Sequence, residues 1–115
     1  MDLKLYSAAL ESLRDPFVLV DTNHVIRFVN EAGALNYAKW GGRDLIGKSL
    51  MDCHNEASRA QILEIVSAMV EGEEERLISS SDKRRIYMRA VRDEDGTLLG
   101  YYERYEYAPF AATPA

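Results

Sequence analysis

The sequence predicts an α+β domain: a five-stranded antiparallel sheet with short helices and one longer helix on one face, preceded by a flanking helix. Three observations lead there. Two short apolar strands, Phe17–Val20 and Val25–Val29, form a hairpin that runs straight into a helix opened by Asn30. Residues Glu56–Val70 carry an apolar face at helical spacing. Beyond them the chain alternates through three strands with turn-forming residues between.

Taken in order, Leu3, Tyr6, Leu10 and Leu13 recur three and four residues apart, one stripe of an amphipathic helix. Asp15-Pro16 ends it, because the residue before proline is pushed out of the α region. That stripe needs a surface to cover it. Asp21-Thr22-Asn23 turns the first hairpin, and Asn30 is read plainly as a helix cap, its side chain accepting from first-turn amides. Glu31–Lys39 is helical in composition, Gly41-Gly42 interrupts it, and Arg43–Ile46 makes one more short turn closed by Gly47. In the long helix Ile62, Ile65, Val66, Met69 and Val70 share a face opposite Arg59, Gln61, Glu64 and Glu71. Glu73-Glu74-Glu75 reads as the solvated opening of an edge strand that runs through Ser79. Ile86–Val91 and Leu98–Tyr107 follow, separated by the turn Asp93-Glu94-Asp95-Gly96. Residues 1–15 are thus the flanking helix and 16–108 the domain proper. Residues 109–115, with Pro109, Pro114 and small side chains, are a tail.

At 115 residues, with 47% hydrophobic and 29% charged positions, the chain suffices for one core and not two. Nineteen acidic against fourteen basic residues give a net charge of -5, which repels nucleic-acid phosphates and anionic lipid. Neither nucleic acid nor membrane is an expected partner. Cys53 is the only cysteine, so no internal disulfide forms and a reducing compartment suits it. No apolar run approaches the roughly 20 residues that span a bilayer. The cytoplasm is the expected location.

The span from Leu3 to Tyr107 resembles a PAS sensor domain. Four pieces carry the likeness: Asp15-Pro16-Phe17-Val18-Leu19-Val20-Asp21, Phe28-Val29-Asn30-Glu31-Ala32, Asp44-Leu45-Ile46-Gly47-Lys48-Ser49-Leu50, and Val91–Gly100. A narrower likeness lies at Cys53-His54-Asn55-Glu56-Ala57-Ser58. It is similar to a C-H-x-x-x-S segment in a PAS group often found beside hemerythrin-like domains, where proline is usual at the place of Asn55. The resemblance implies a pocket between sheet and helices, a module that binds and relays rather than catalyses, and a dimer.

Cys53 and His54 are the residues through which chemistry could enter. Packing or helix capping is the first reading of the pair; thiol redox sensing and ligation of haem or a metal by His54 are the others. Two adjacent ligands do not fill a four-coordinate zinc shell, and the other histidine, His24, lies in a turn. Haem-binding sensors of the resembled fold place their proximal histidine near this chain's Gln61 or Ile62, where none stands. Its flavin-binding light sensors carry the reactive cysteine three residues after the glycine matching Gly47, and that position is Leu50 here. The cofactor is left unknown, with none a real option, haem less favoured and flavin disfavoured.

On the penultimate strand Ile86, Met88 and Ala90 share one face, and Tyr87, Arg89 and Val91 the other. On the last strand hydrophobicity alone buries the odd-numbered set from Leu99 to Tyr107. The resemblance around Gly100 instead turns Tyr102 and Arg104 toward the cavity. The expected ligand-binding set is Val18, Val20, Trp40, His54, Ile62, Val66, Ile86, Met88, Tyr102 and Arg104. An inward Arg104 needs an anionic partner, either a surface glutamate or a ligand carboxylate. Tyr101 and Tyr105 would then lie on the outer face and meet Leu3, Tyr6, Leu10 and Leu13, within one chain or between two in a dimer interface, although a tyrosine stripe is more often plain packing.

The function expected from all this is a non-enzymatic sensor or relay that binds a small molecule, dimerises, and acts through an output domain or partner protein in bacterial-style signalling. A haem-based redox or gas sensor through His54 is the alternative. A small isomerase-like α+β enzyme is the more distant one, since no carboxylate sits clearly among apolar neighbours.

Overall fold

The computed structural model describes residues 2–110. Its strands are β1 (Val18–Asp21), β2 (Ile26–Val29), β3 (Glu75–Ser80), β4 (Arg84–Arg92) and β5 (Leu98–Tyr107), and its α-helices are α1 (Leu3–Glu11), α2 (Glu31–Asn36) and α3 (Glu56–Val70). The strands form one antiparallel sheet in the order β2-β1-β5-β4-β3. The strand made last is therefore the central one, and the two parts of the chain on either side of the helices are joined along it. β1 meets β5 through only two residue pairs, Val20 with Tyr101 and Asp21 with Gly100.

The hairpin, the long helix and the final meander form where the residue patterns place them. Ile62, Ile65, Val66 and Met69 turn the buried face of α3 onto a core that includes Val20, Ile26, Val29 and Met88. Val70, assigned to the same face, is exposed at the helix end. The helix opened by Asn30 stops at Asn36, short of the expected Lys39, and 310 turns follow at Ala38–Trp40 and Gly42–Leu45. The cause is local: Gly41 and Gly42 both take positive φ, and the Gly42 amide bonds back to the Tyr37 carbonyl at 3.0 Å, tightening the chain after the helix. A third such turn, Leu50–Cys53, was not legible beforehand; Ser49 caps it by accepting from the Met51 amide.

The stripe on α1 is not covered. No residue of that helix is buried, and Leu3, Tyr6 and Leu13 are exposed while Leu10 is half-buried. The expectation that the stripe packs on the outer sheet face within the chain is corrected accordingly. What holds α1 is its C-terminal end, where Asn30 donates to the carbonyls of Leu10, Leu13 and Asp15 and Arg43 pairs with Glu11.

Candidate cavity and its polar end

The β4–β5 register decides which side chains face the helices. Ile86 lies opposite Tyr105, Met88 opposite Glu103 and Ala90 opposite Tyr101. Residues directly opposite in an antiparallel pair share a face. Met88 and Ala90 are core, so Tyr101, Glu103 and Tyr105 face the helices too. Between them and α3 lies a cavity of about 220 Å³. Val18, Val20, Ile26, Leu45, Ile62 and Met88 supply much of its apolar wall, and Tyr37, His54, Glu103 and Tyr105 supply polar groups.

Of the residues expected to bind a ligand, Val18, Val20, His54, Ile62, Met88 and Tyr102 line this cavity, although the Tyr102 ring also packs on Phe17 with centroids 4.9 Å apart. Trp40 does not line it: the indole is 51% exposed, its ring 6.1 Å from that of Tyr37. Val66 belongs to the core and Ile86 is half-buried, and neither lines the cavity. Arg104 is on the other side of the sheet. It forks onto Glu75 with contacts of 2.9 and 2.8 Å and lies over the Tyr87 ring at 4.3 Å. Arg104 thus has a glutamate partner, as the first of its two readings expected, and it does not line the cavity. Tyr101 and Tyr105, assigned to an interface, are cavity residues.

The acidic run is more engaged than a solvated edge. Glu73 pairs with Arg76 at 2.9 Å, Glu74 with Arg92 at 2.7 Å and Glu75 with Arg104. The hydrogen bond from Arg104 holds the Glu75 carboxyl below the usual carboxylate range.

Glu103 and Tyr37 are the residues the sequence reading missed. Glu103 had a signal, since it belongs to the odd-numbered set that hydrophobicity alone would bury. Tyr37 had none, being one position in a helix expected to run on. The Tyr105 hydroxyl donates to the Glu103 carboxylate at 3.3 Å. Burial pushes the Glu103 carboxyl above the usual carboxylate range, with Tyr105 and His54 opposing that shift. Burial, then the nearby Glu103 charge, pushes Tyr37 up to about 12 and raises Tyr105 as well. Tyr101 is raised chiefly by burial, and its hydroxyl lies 2.8 Å from Nδ1 of His24.

His54 points Nδ1 at the Leu50 carbonyl, 2.8 Å away; a carbonyl only accepts, so that nitrogen is the donor. Cys53 is half-buried on the cavity wall. Among the described residues no three His, Cys, Asp or Glu side chains gather closely enough to hold a metal ion.

An antiparallel sheet with its central strand contributed last, covered on one face by short helices and one long one, is the architecture of a sensor-type α+β domain. The family model described as "PAS fold" matches residues 10–106, and the chain belongs to that family, whose members are typically sensor modules of signal transduction. No curated protein sequence matches the chain. Among solved structures it is similar to a C-terminal domain from Streptococcus mutans, with TM-score 0.75 and 16% identity over 95% of this chain and 87% of that one. A PAS domain from Colwellia psychrerythraea superposes with TM-score 0.66 and 16% identity, covering 91% and 95%. A sensory box sensor histidine kinase from Vibrio cholerae gives TM-score 0.55 and 22% identity, covering 87% and 86%. At these identities the likeness is one of fold. No helix among the described residues is long and apolar enough to cross a membrane.

Proposed function

We propose that this PAS-family chain is a sensor or relay module without chemistry of its own, holding a small molecule between the inner sheet face and the helices. The observation that carries the reading is the cavity of about 220 Å³, apolar over much of its wall and polar at Tyr37, His54, Glu103 and Tyr105. Apolar walls with a few convergent polar groups are what small-molecule sites present. A guest there touches β5, the strand on which the sheet is assembled, and Pro16, which leads back toward α1. Occupancy would bias two arrangements of α1 by its differential affinity for them, and a second copy of the chain or an output partner would read the difference. The free thiol of Cys53 suits a reducing cytoplasm.

A haem reading fits poorly. The cavity is smaller than the roughly 300 Å³ at which pockets for drug-sized ligands begin, and His54 is the one imidazole on its wall. The enzyme reading gains an observation, since Glu103 with two tyrosines is the kind of set that moves protons. Yet the Tyr105 hydroxyl is directed at Glu103 itself, so acid and base engage one another rather than a shared point in the cavity.

Native mass spectrometry and an absorption spectrum of freshly purified protein test the proposal. A small non-covalent companion mass, with neither Soret nor flavin bands, is expected. A Soret band would overturn the reading in favour of haem, and protein carrying no companion would leave relay by self-association.

A further inference from the structure

We propose that the cavity takes a small organic amine, its ammonium group against the Glu103 carboxylate and its apolar body against Val18, Val20, Ile62 and Met88. This rests on the cavity being a ligand site and names the chemistry of the guest.

Among the carboxylates carried by the strands, Glu103 is the exception. On the same strand Arg104 is paired with Glu75 and Glu106 with Arg85, and on neighbouring elements Glu11, Glu73 and Glu74 each hold an arginine. Glu103 makes no ion pair among the described residues, although it is the one carboxylate on the cavity wall and no lysine or arginine lines that wall. Its single recorded side-chain partner is the Tyr105 hydroxyl at 3.3 Å. A half-buried carboxylate on an apolar wall without a paired cation is costly, and its pKa moves up in response, as it does here. His54 and Arg84 offset part of that cost through their charge, but neither forms an ion pair with the Glu103 carboxylate.

A guest that brings the missing positive charge relieves that cost. The aromatic surroundings favour the same charge, because Tyr37, Tyr101 and Tyr105 all line the cavity and the faces of such rings attract ammonium groups. An acid would set a second negative charge beside Glu103, and a neutral alcohol would gain only a hydrogen bond. Size narrows the class. A volume of about 220 Å³, below the roughly 300 Å³ at which pockets for drug-sized ligands begin, suits a short aliphatic or single-ring amine.

Benzylamine, benzyl alcohol and benzoate share one ring and differ in charge, and their binding to the unaltered protein by calorimetry at neutral pH tests the inference. Methyl resonances of Met88 and Ile62 report whether each probe enters the cavity. Benzylamine should bind about tenfold or more tightly than the alcohol, with benzoate weakest. In Glu103→Gln the preference for the amine should vanish while the alcohol binds as before. Alcohol and amine binding equally to the unaltered protein, both moving the methyl signals, would overturn the amine assignment and leave the cavity as a ligand site. No probe moving those signals would overturn both, and an amine preference that survives Glu103→Gln would overturn the role of Glu103.

Discussion

Asn30 shows how much one side chain can organise. It is fully buried, and both ends of its amide are used. Oδ1 accepts from the Gly33 amide at 2.7 Å, capping α2, and from the Phe17 amide at 2.9 Å; Nδ2 faces the carbonyls of Leu10, Leu13 and Asp15 at 3.1 to 3.3 Å. The cap was legible, because asparagine at a helix start is ordinary capping chemistry. The clasp on the carbonyls between α1 and β1 was not, since it depends on a chain segment 15 to 20 residues earlier. Aspartate caps as well as asparagine, so capping alone predicts a neutral exchange. The clasp predicts otherwise: Asn30→Asp sets a carboxylate oxygen against three carbonyls and should cost about 3 kcal/mol or more in urea unfolding at neutral pH. A cost within about 0.5 kcal/mol would show that the cap is all that matters.

At the scale of elements, the decisive one is β5. Its two faces were both described correctly as sets, yet the resemblance around Gly100 and the hydrophobic pattern pointed opposite ways. The hydrophobic pattern held from Tyr101 to Tyr105, because cross-strand pairing leaves no choice there: once Met88 and Ala90 are inside, Glu103 and Tyr101 opposite them are inside as well, whereas Leu99 and Tyr107 at the strand ends are exposed. Gly100 has a different task. A Cβ there would meet the Val20 carbonyl oxygen at 2.2 Å, so only glycine lets β1 come this close. Since β1 is joined to β5 by two residue pairs alone, Gly100→Ala should loosen the whole β1–β2 hairpin and cost about 3 kcal/mol or more. The exposed neighbour Leu99→Ala should change stability by about 0.5 kcal/mol or less, and equal effects at the two positions in urea titrations would sink the close-approach argument. The same contrast explains what could be read in advance. Strand order along the chain and the face of α3 follow from periodicity. The 310 turns and the polar end of the cavity depend on contacts far apart in sequence, as when Tyr37 meets the Tyr105–Glu103 pair.

Across the whole molecule, the cavity and α1 are joined by a short route. The segment from Leu13 to Phe17 borders a second recess against Tyr102–Tyr105 of β5, and Glu103 and Tyr105 of that stretch also line the main cavity. A guest that shifts those two residues therefore works against the segment that carries α1. The helix is clasped at its C-terminal end by Asn30 and Arg43, while Leu3, Leu5 and Tyr6 at its other end stand 71%, 60% and 53% exposed. A surface helix normally buries its apolar stripe, and this one has no cover within the described residues. A second copy of the chain would supply that cover, stripe against stripe, as an isologous contact does. Light scattering after size exclusion at micromolar concentration should then report twice 13.0 kDa for the unaltered chain. Leu3→Glu with Tyr6→Glu should return it to 13.0 kDa with little change in Tm, because neither side chain contributes to the core. An unaltered chain that runs as a monomer, or a double variant that remains dimeric, would place any self-association on another surface and remove α1 from the route.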